Sequence, residues 1–169
     1  LADCLQLSGR ELLGFTAPQA APELAPGIAW LGDDARLDQY GAEAIELVLG
    51  IGSTASTRQR RRLFEQWTRR RYRFATVRGP TSLVSGLGTA LGRGCQLLAG
   101  CLIGPGVRLG DNVLVNSRAI VEHDCEIGEH GHIATGAILC GGCQVGTGVH
   151  VGAGATVLQG ISIGDGAVI

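Results

Sequence analysis

The chain has 169 residues, a net charge of −1 and a hydrophobic content of 45%, a length that suits one or two domains with an ample core. The near-neutral charge argues against a general polyanion binder, and no run of about 18 apolar residues is present to form a membrane-spanning helix. All fourteen basic residues are Arg, which reads first as a genomic bias.

The N-terminal part is irregular. Glu11 to Phe15 reads as a short strand, and Thr16 to Gly27, with Pro18, Pro22 and Pro26, as a loop. Ala44 to Ile51 is a continuous apolar run of the kind that forms a strand buried on both faces. Gly52, Ser53 and Thr54 make a turn, Ser56 to Arg71 a helix with Leu63, Phe64 and Trp67 on its apolar face, and Arg73 to Val77 another strand. Strand, helix and strand at this length form a right-handed βαβ unit. The turn before the helix suits an anion, which makes Gly52 and Ser53 candidate substrate contacts. The helix carries Arg58, Arg60, Arg61, Arg62, Arg69, Arg70 and Arg71. We read these as a solvated face, with an anionic small ligand as the alternative and nucleic acid as the remote one. Arg78 to Gly86 marks a boundary, giving units at 1–78 and 79–169.

From Leu91 to Ile169 every sixth residue is Leu, Ile or Val. That period fits neither a helix nor a lone strand; it fits a hexapeptide β-helix, whose stacked coils share one apolar interior. Two residues before each aliphatic stands a second inward position, usually small or β-branched, such as Cys95, Cys101, Cys125 and Cys143. Alternate residues of a strand share a face, so these cysteines read as buried thiols acting as compact hydrophobes, suited to a reducing cytoplasm. Gly often follows the aliphatic, as at Gly92, Gly104 and Gly110, and reads as the residue that allows a tight corner. The repeat is still running at Ile169, and Met is absent even at position 1, so the chain is expected to be a fragment truncated at both ends, lacking part of its C-terminal coils.

Polar residues concentrate between Asn116 and Gly142. His123 stands between Glu122 and Asp124, and a carboxylate beside an imidazole orients it and stabilises its cation, as a general base requires. With the interior already filled, this run must point at least partly outward. His123 and Gly141 differ by eighteen residues, as do His132 and His150. A coil of eighteen residues would stack each pair on neighbouring coils about 4.8 Å apart.

The repeat, the HDC-IG-H-HIA-GA pattern between Asn116 and Gly142 and the preceding βαβ unit resemble the hexapeptide-repeat sugar O- and N-acyltransferases of the sialic acid O-acetyltransferase (NeuD) and bacillosamine-pathway (PglD) type. The resemblance implies a left-handed parallel β-helix preceded by a small Rossmann-like α/β domain that binds a nucleotide sugar. It also implies a cytoplasmic homotrimer with active sites between subunits, and acetyl-CoA as co-substrate with no metal, nucleic acid or membrane insertion. By the same resemblance His123 is the catalytic base, with Glu122 and Asp124 as acidic neighbours. Asn116 and His132 contact substrate, and Gly141, in the turn with Gly142, contacts the acetyl thioester. The Gly-rich loop that opens such domains is missing here, and Val77 to Pro80 replaces the usual His-Pro junction.

The expected reaction is direct acetyl transfer to an amino group of a nucleotide-linked sugar. The alternative is a sialate or other sugar O-acetyltransferase. Two further readings are a metal lyase like the γ-class carbonic anhydrases, which use His ligands on the same helix, and a non-catalytic trimeric scaffold.

Overall fold

The computed structural model describes residues 1–20 and 27–169. The loop expected at 16–27 therefore falls mostly outside the described residues, Pro22 and Pro26 included.

From Val77 onward the chain is a three-sided stack of parallel strands. The first sheet contains Val77–Arg78, Gln96–Leu97, Leu114–Val115, His132–Ile133 and His150–Val151. Leu83–Val84, Leu102–Ile103, Ile120–Val121, Ile138–Leu139 and Thr156–Val157 make the second. The third contains Ala90–Leu91, Arg108–Leu109, Glu126–Ile127, Gln144–Val145 and Ser162–Ile163. The pairing Leu114↔His132 and His132↔His150 fixes a coil of eighteen residues. The arrangement is consistent with the expected left-handed β-helix. Both predicted inward positions are filled as the period requires: Cys95, Leu97, Val113, Val115, Cys125, Leu139 and Cys143 are all fully buried in one continuous core. The cysteines are free, and burial pushes the Cys95, Cys101 and Cys125 thiols up to about 11, which leaves them inert as nucleophiles.

The glycines at the corners divide into two kinds, and the one singled out in the sequence is not the turn-maker. The left-handed residue stands three places after each inward aliphatic, as at Gly94 (φ 65°), Gly106 (φ 71°) and Gly142 (φ 71°). Gly92, Gly104 and Gly110 are needed for close approach instead: a Cβ there would lie 2.5–2.8 Å from the backbone of the next coil. At four corners the left-handed place is taken by Asn112, Arg118, Asp124 and His130. Asn, Asp and His tolerate this region better than most residues.

The N-terminal residues form helix α1 (Ala2–Leu7), strands β1 (Phe15–Thr16), β2 (Trp30–Gly32) and β3 (Glu46–Leu47), helix α2 (Arg58–Arg69) and strand β4 (Arg73–Phe74). The strands pair in parallel as two separate two-stranded sheets, β1 with β2 and β3 with β4. The expected βαβ unit is thus β3–α2–β4, with shorter elements than the sequence suggests. Pairing at the first strand starts only at Phe15, not Glu11, because its partner carbonyl is Ala29. The Ala44 to Ile51 run is half-buried rather than buried on both faces, with Glu46 exposed. The helix begins at Arg58, after Ala55 in a left-handed conformation, and ends before Arg71, which adopts the same conformation. The expected strand Arg73 to Val77 is divided: Arg73–Phe74 pairs with β3, while Val77–Arg78 already belongs to the first sheet of the stack.

The α/β residues cover the outward face of the first sheet. Cys4 and Leu5 of α1 pack on Val77. Phe64 of α2 stacks on Phe74 and meets the His130 ring edge-on. The Thr57 hydroxyl donates to the Gly148 carbonyl at 3.0 Å. In consequence Gln96, Leu114, His132 and His150, which all point outward from that sheet, are buried.

Candidate active site

Two polar clusters emerge, on different corners of the stack. The first is the corner between the second and third sheets, where Glu122, His123 and Asp124 are exposed. The His123 side chain is 61% exposed, and its Nδ1 lies 2.9 Å from the Asp124 carboxylate. With Nδ1–H donating there, the neutral ring carries its lone pair on Nε2. That edge of the ring rests on Gly141 of the following coil, where a Cβ would lie 2.5 Å from Nε2. Only glycine leaves room for the imidazole in this pose. The Gly142 N–H donates to the His123 carbonyl at 2.8 Å, so its amide is committed to the coil ladder. Among the described residues the Gly141 N–H has no hydrogen-bond acceptor, and of the two it is the one able to serve a ligand. Glu122 stands beside His123 without bonding to it.

The second cluster is the corner between the first and second sheets and the seam next to it. Asn116 Nδ2 lies 3.3 Å from His132 Nε2, and its Oδ1 accepts the Ser117 N–H at 2.8 Å. His132 Nδ1 is 2.5 Å from the Ser53 hydroxyl, which also lies 3.3 Å from His150 Nδ1. The two imidazoles stack edge to face at 4.8 Å, as the eighteen-residue spacing predicts. Burial, the neighbouring His150 and the Arg60 charge push His132 down to about 4, and burial lowers His150 as well.

Gly52 and Ser53 do not run directly into the helix; residues 54–57 intervene, and Ser53 turns to the imidazoles instead. Gly52 is exposed. The charged face of α2 is largely solvated, as expected. Arg61 and Arg69 both bridge to Glu65, at 2.7 and 3.5 Å, and Arg70 pairs with Asp38 while lying over Trp67. Arg60 departs from that reading. It is 1% exposed and donates from Nη1 to the carbonyls of Ile51 at 2.9 Å and Leu49 at 3.5 Å, while its Nε and Nη2 have no partner among the described residues. Desolvation lowers its pKa to about 10. Gln96 donates to the same Leu49 carbonyl at 2.9 Å. Neither Arg60, Gln96 nor His150 was singled out as a site residue by the sequence; the eighteen-residue spacing from His132 was the available signal for His150.

Within one chain the two clusters do not meet: the second sheet separates Asn116, His132 and Ser53 from His123 and Gly141. Among the described residues, no three His, Cys, Asp or Glu side chains are placed to hold a metal ion, and no helix is long and apolar enough to cross a membrane.

No protein-family model matches the chain, and no curated protein matches it. Solved structures do. One is a mutant of perosamine N-acetyltransferase from Caulobacter crescentus in complex with CoA and GDP-perosamine, with a TM-score of 0.76 and 20% identity over 98% of this chain and 85% of that one. Another is the acetyltransferase domain of PglB from Neisseria gonorrhoeae in complex with acetyl coenzyme A, with a TM-score of 0.76 and 20% identity over 96% of this chain and 84% of that one. The same domain solved without a named ligand gives 0.75, with 22% identity over 96% and 85%. At these identities the likeness shows that this chain shares their fold.

Proposed function

We propose that this chain is an acetyl-CoA-dependent acetyltransferase acting on an amino group of a nucleotide-linked sugar, with His123 as general base. The observation that carries the reading is the exposed His123–Asp124 pair, whose Nε2 edge lies against a glycine on the next coil. The fold-sharing enzymes in complex with CoA, acetyl coenzyme A and GDP-perosamine support the same chemistry. They also favour nitrogen over a sugar hydroxyl as the acceptor.

The proposed transfer is direct. His123 Nε2 takes the proton of the acceptor amine as its nitrogen attacks the thioester carbonyl, and Asp124 holds the ring and stabilises the imidazolium. The acetyl group comes from acetyl-CoA, and the uncommitted Gly141 N–H is available to the developing oxyanion; collapse of the tetrahedral intermediate breaks the C–S bond, and the departing CoA sulfur takes the proton back from His123. Glu122 adds negative charge beside the cation. The N-terminal residues 1–78 would serve as a partial α/β domain for the nucleotide sugar, with Gly52 among its contacts, while Ser53 turns to His132 and His150. Gly142 shapes the turn through its left-handed conformation rather than through its amide.

A homotrimer completes the site in this reading. The outward residues of the second sheet include Leu83, Leu102, Ile120 and Ile138, an apolar stripe that no segment among the described residues covers. A three-fold axis facing that sheet brings the corner holding Asn116 and His132 in one subunit against the corner holding His123 in the next. Both polar clusters then line one cleft.

The test is acetyl transfer to a panel of nucleotide amino-sugars and free sugars, read by mass spectrometry. His123→Ala should lower turnover by about 10²–10⁴-fold while acetyl-CoA binding survives. Near-normal turnover of that variant would overturn the role of His123.

A further inference from the structure

The seam between the α/β residues and the first sheet contains a hydrogen-bonded chain whose direction can be worked out. It starts at Asn116. The Ser117 N–H occupies Asn116 Oδ1 at 2.8 Å, which turns the Nδ2 end of the amide toward His132. Nδ2 can only donate, so His132 Nε2 accepts. A neutral imidazole that accepts at Nε2 carries its proton on Nδ1, and that Nδ1–H donates to Ser53 Oγ at 2.5 Å. The Ser53 hydroxyl proton is then free to go to His150 Nδ1, 3.3 Å away. Every donor meets an acceptor in one direction only, from Asn116 through His132 and Ser53 to His150.

We propose that Ser53 is a positioning residue that sets the His132 tautomer, and through it aims the Asn116 amide as a fixed single N–H donor into the cleft. This rests on the acetyltransferase reading above. Asn116 has two N–H groups; His132 takes one, and the other is left for a ligand. The ligand group it suits is an acceptor oxygen, such as a sugar hydroxyl oxygen or a carbonyl. Without Ser53 Oγ, no other side chain among the described residues holds the proton on Nδ1. The ring can then carry it on Nε2, where it would face the Asn116 N–H donor to donor, and the amide must turn away. Arg60 supplies the rigidity. Its guanidinium grips the Ile51 and Leu49 carbonyls, Gln96 grips Leu49 as well, and the residues leading to Ser53 are thereby fixed to the first sheet, which also carries His132. Among the described residues no carboxylate hydrogen-bonds to Asn116, His132, Ser53 or His150, so the neutral ring is not pulled toward the doubly protonated form.

The decisive experiment is nitrogen NMR of the full chain labelled at histidine, with His132 assigned by its loss in His132→Gln. At pH 7 we expect His132 to show a protonated Nδ1 and a free Nε2, the minor tautomer of histidine in water. Ser53→Ala should abolish that preference and lower kcat/KM for the acceptor about tenfold or more, with KM for acetyl-CoA unchanged. Ser53→Thr should recover both. A wild-type His132 protonated at Nε2 would overturn the proposal without reference to any variant. So would Ser53→Ala keeping the Nδ1–H form. If His123→Ala retains turnover, the reaction assigned above fails, while the tautomer measurement still decides the direction of the chain.

Discussion

His123 owes its pose to a missing side chain. The imidazole occupies the space that a Cβ at Gly141 would fill, 2.5 Å from Nε2, and a contact that short forces the ring to move. Gly141→Ala is therefore expected to displace the base by about an ångström and cost on the order of 10²-fold in kcat. The melting temperature should change little, since this corner is exposed and its backbone is not left-handed at position 141. An unchanged kcat would mean the ring has another productive pose. His132 makes the opposite kind of statement, because its burial is tied to stability. Its pKa in the folded chain, about 4, lies below its ordinary 6.5, so folding favours the neutral ring. That contribution is complete above about pH 6.5 and is lost progressively as pH falls toward about 4, because the unfolded chain takes up the proton first. At the acid end the loss reaches about 3 kcal/mol. Unfolding by denaturant between pH 7 and pH 4 should show this slope, and His132→Gln should flatten part of it.

Helix α2 explains both what the sequence disclosed and what it concealed. Its apolar residues Phe64 and Trp67 pack inward as the pattern requires. Arg60 stands one turn before Phe64 and is buried with them, because the carbonyls at Leu49 and Ile51 need donors once the loop is pressed against the first sheet. No local pattern separates that arginine from its solvated neighbours; only the tertiary contact does. The strands around it were equally hard to delimit, since each pairs over two or three residues and the Ala44 to Ile51 run is apolar well beyond its paired part. The coils were legible for the opposite reason: their signal recurs fourteen times in register from Leu91 onward, and each recurrence confirms the others. The His123 corner was legible too, as a polar interruption in that register, whereas the seam was not, because Ser53 and His132 are 79 residues apart. Arg60→Ala should free residues 49–53. Amide exchange there is expected to rise while the coil amides stay protected, and stability should fall by about 1–3 kcal/mol for the Ile51 carbonyl left unpaired.

At the scale of the whole molecule, the proposed function makes one chain an incomplete site. Its two polar corners flank the second sheet and face apart, and the uncovered stripe of Leu102, Ile120 and Ile138 between them is what a neighbour would bury. Ile120→Glu together with Ile138→Glu should convert a trimer to monomers in light scattering. Turnover should disappear with the trimer, although the His123–Asp124 pair of each chain is untouched. A monomeric double variant that remains active would show that one chain suffices.

Each strand of the stack pairs with the strand eighteen residues away, so closing every successive coil costs the same modest loop entropy. The bonds from Ser53 to His132 and from Thr57 to Gly148 span 79 and 91 residues and can form only once several coils exist to receive them. Folding should therefore proceed as a zipper along the coils, with docking of the α/β residues as the closing event. The tautomer of His132, the aim of Asn116 and the burial of Arg60 would all be acquired at that last step, leaving a late intermediate with a finished core and an unformed site.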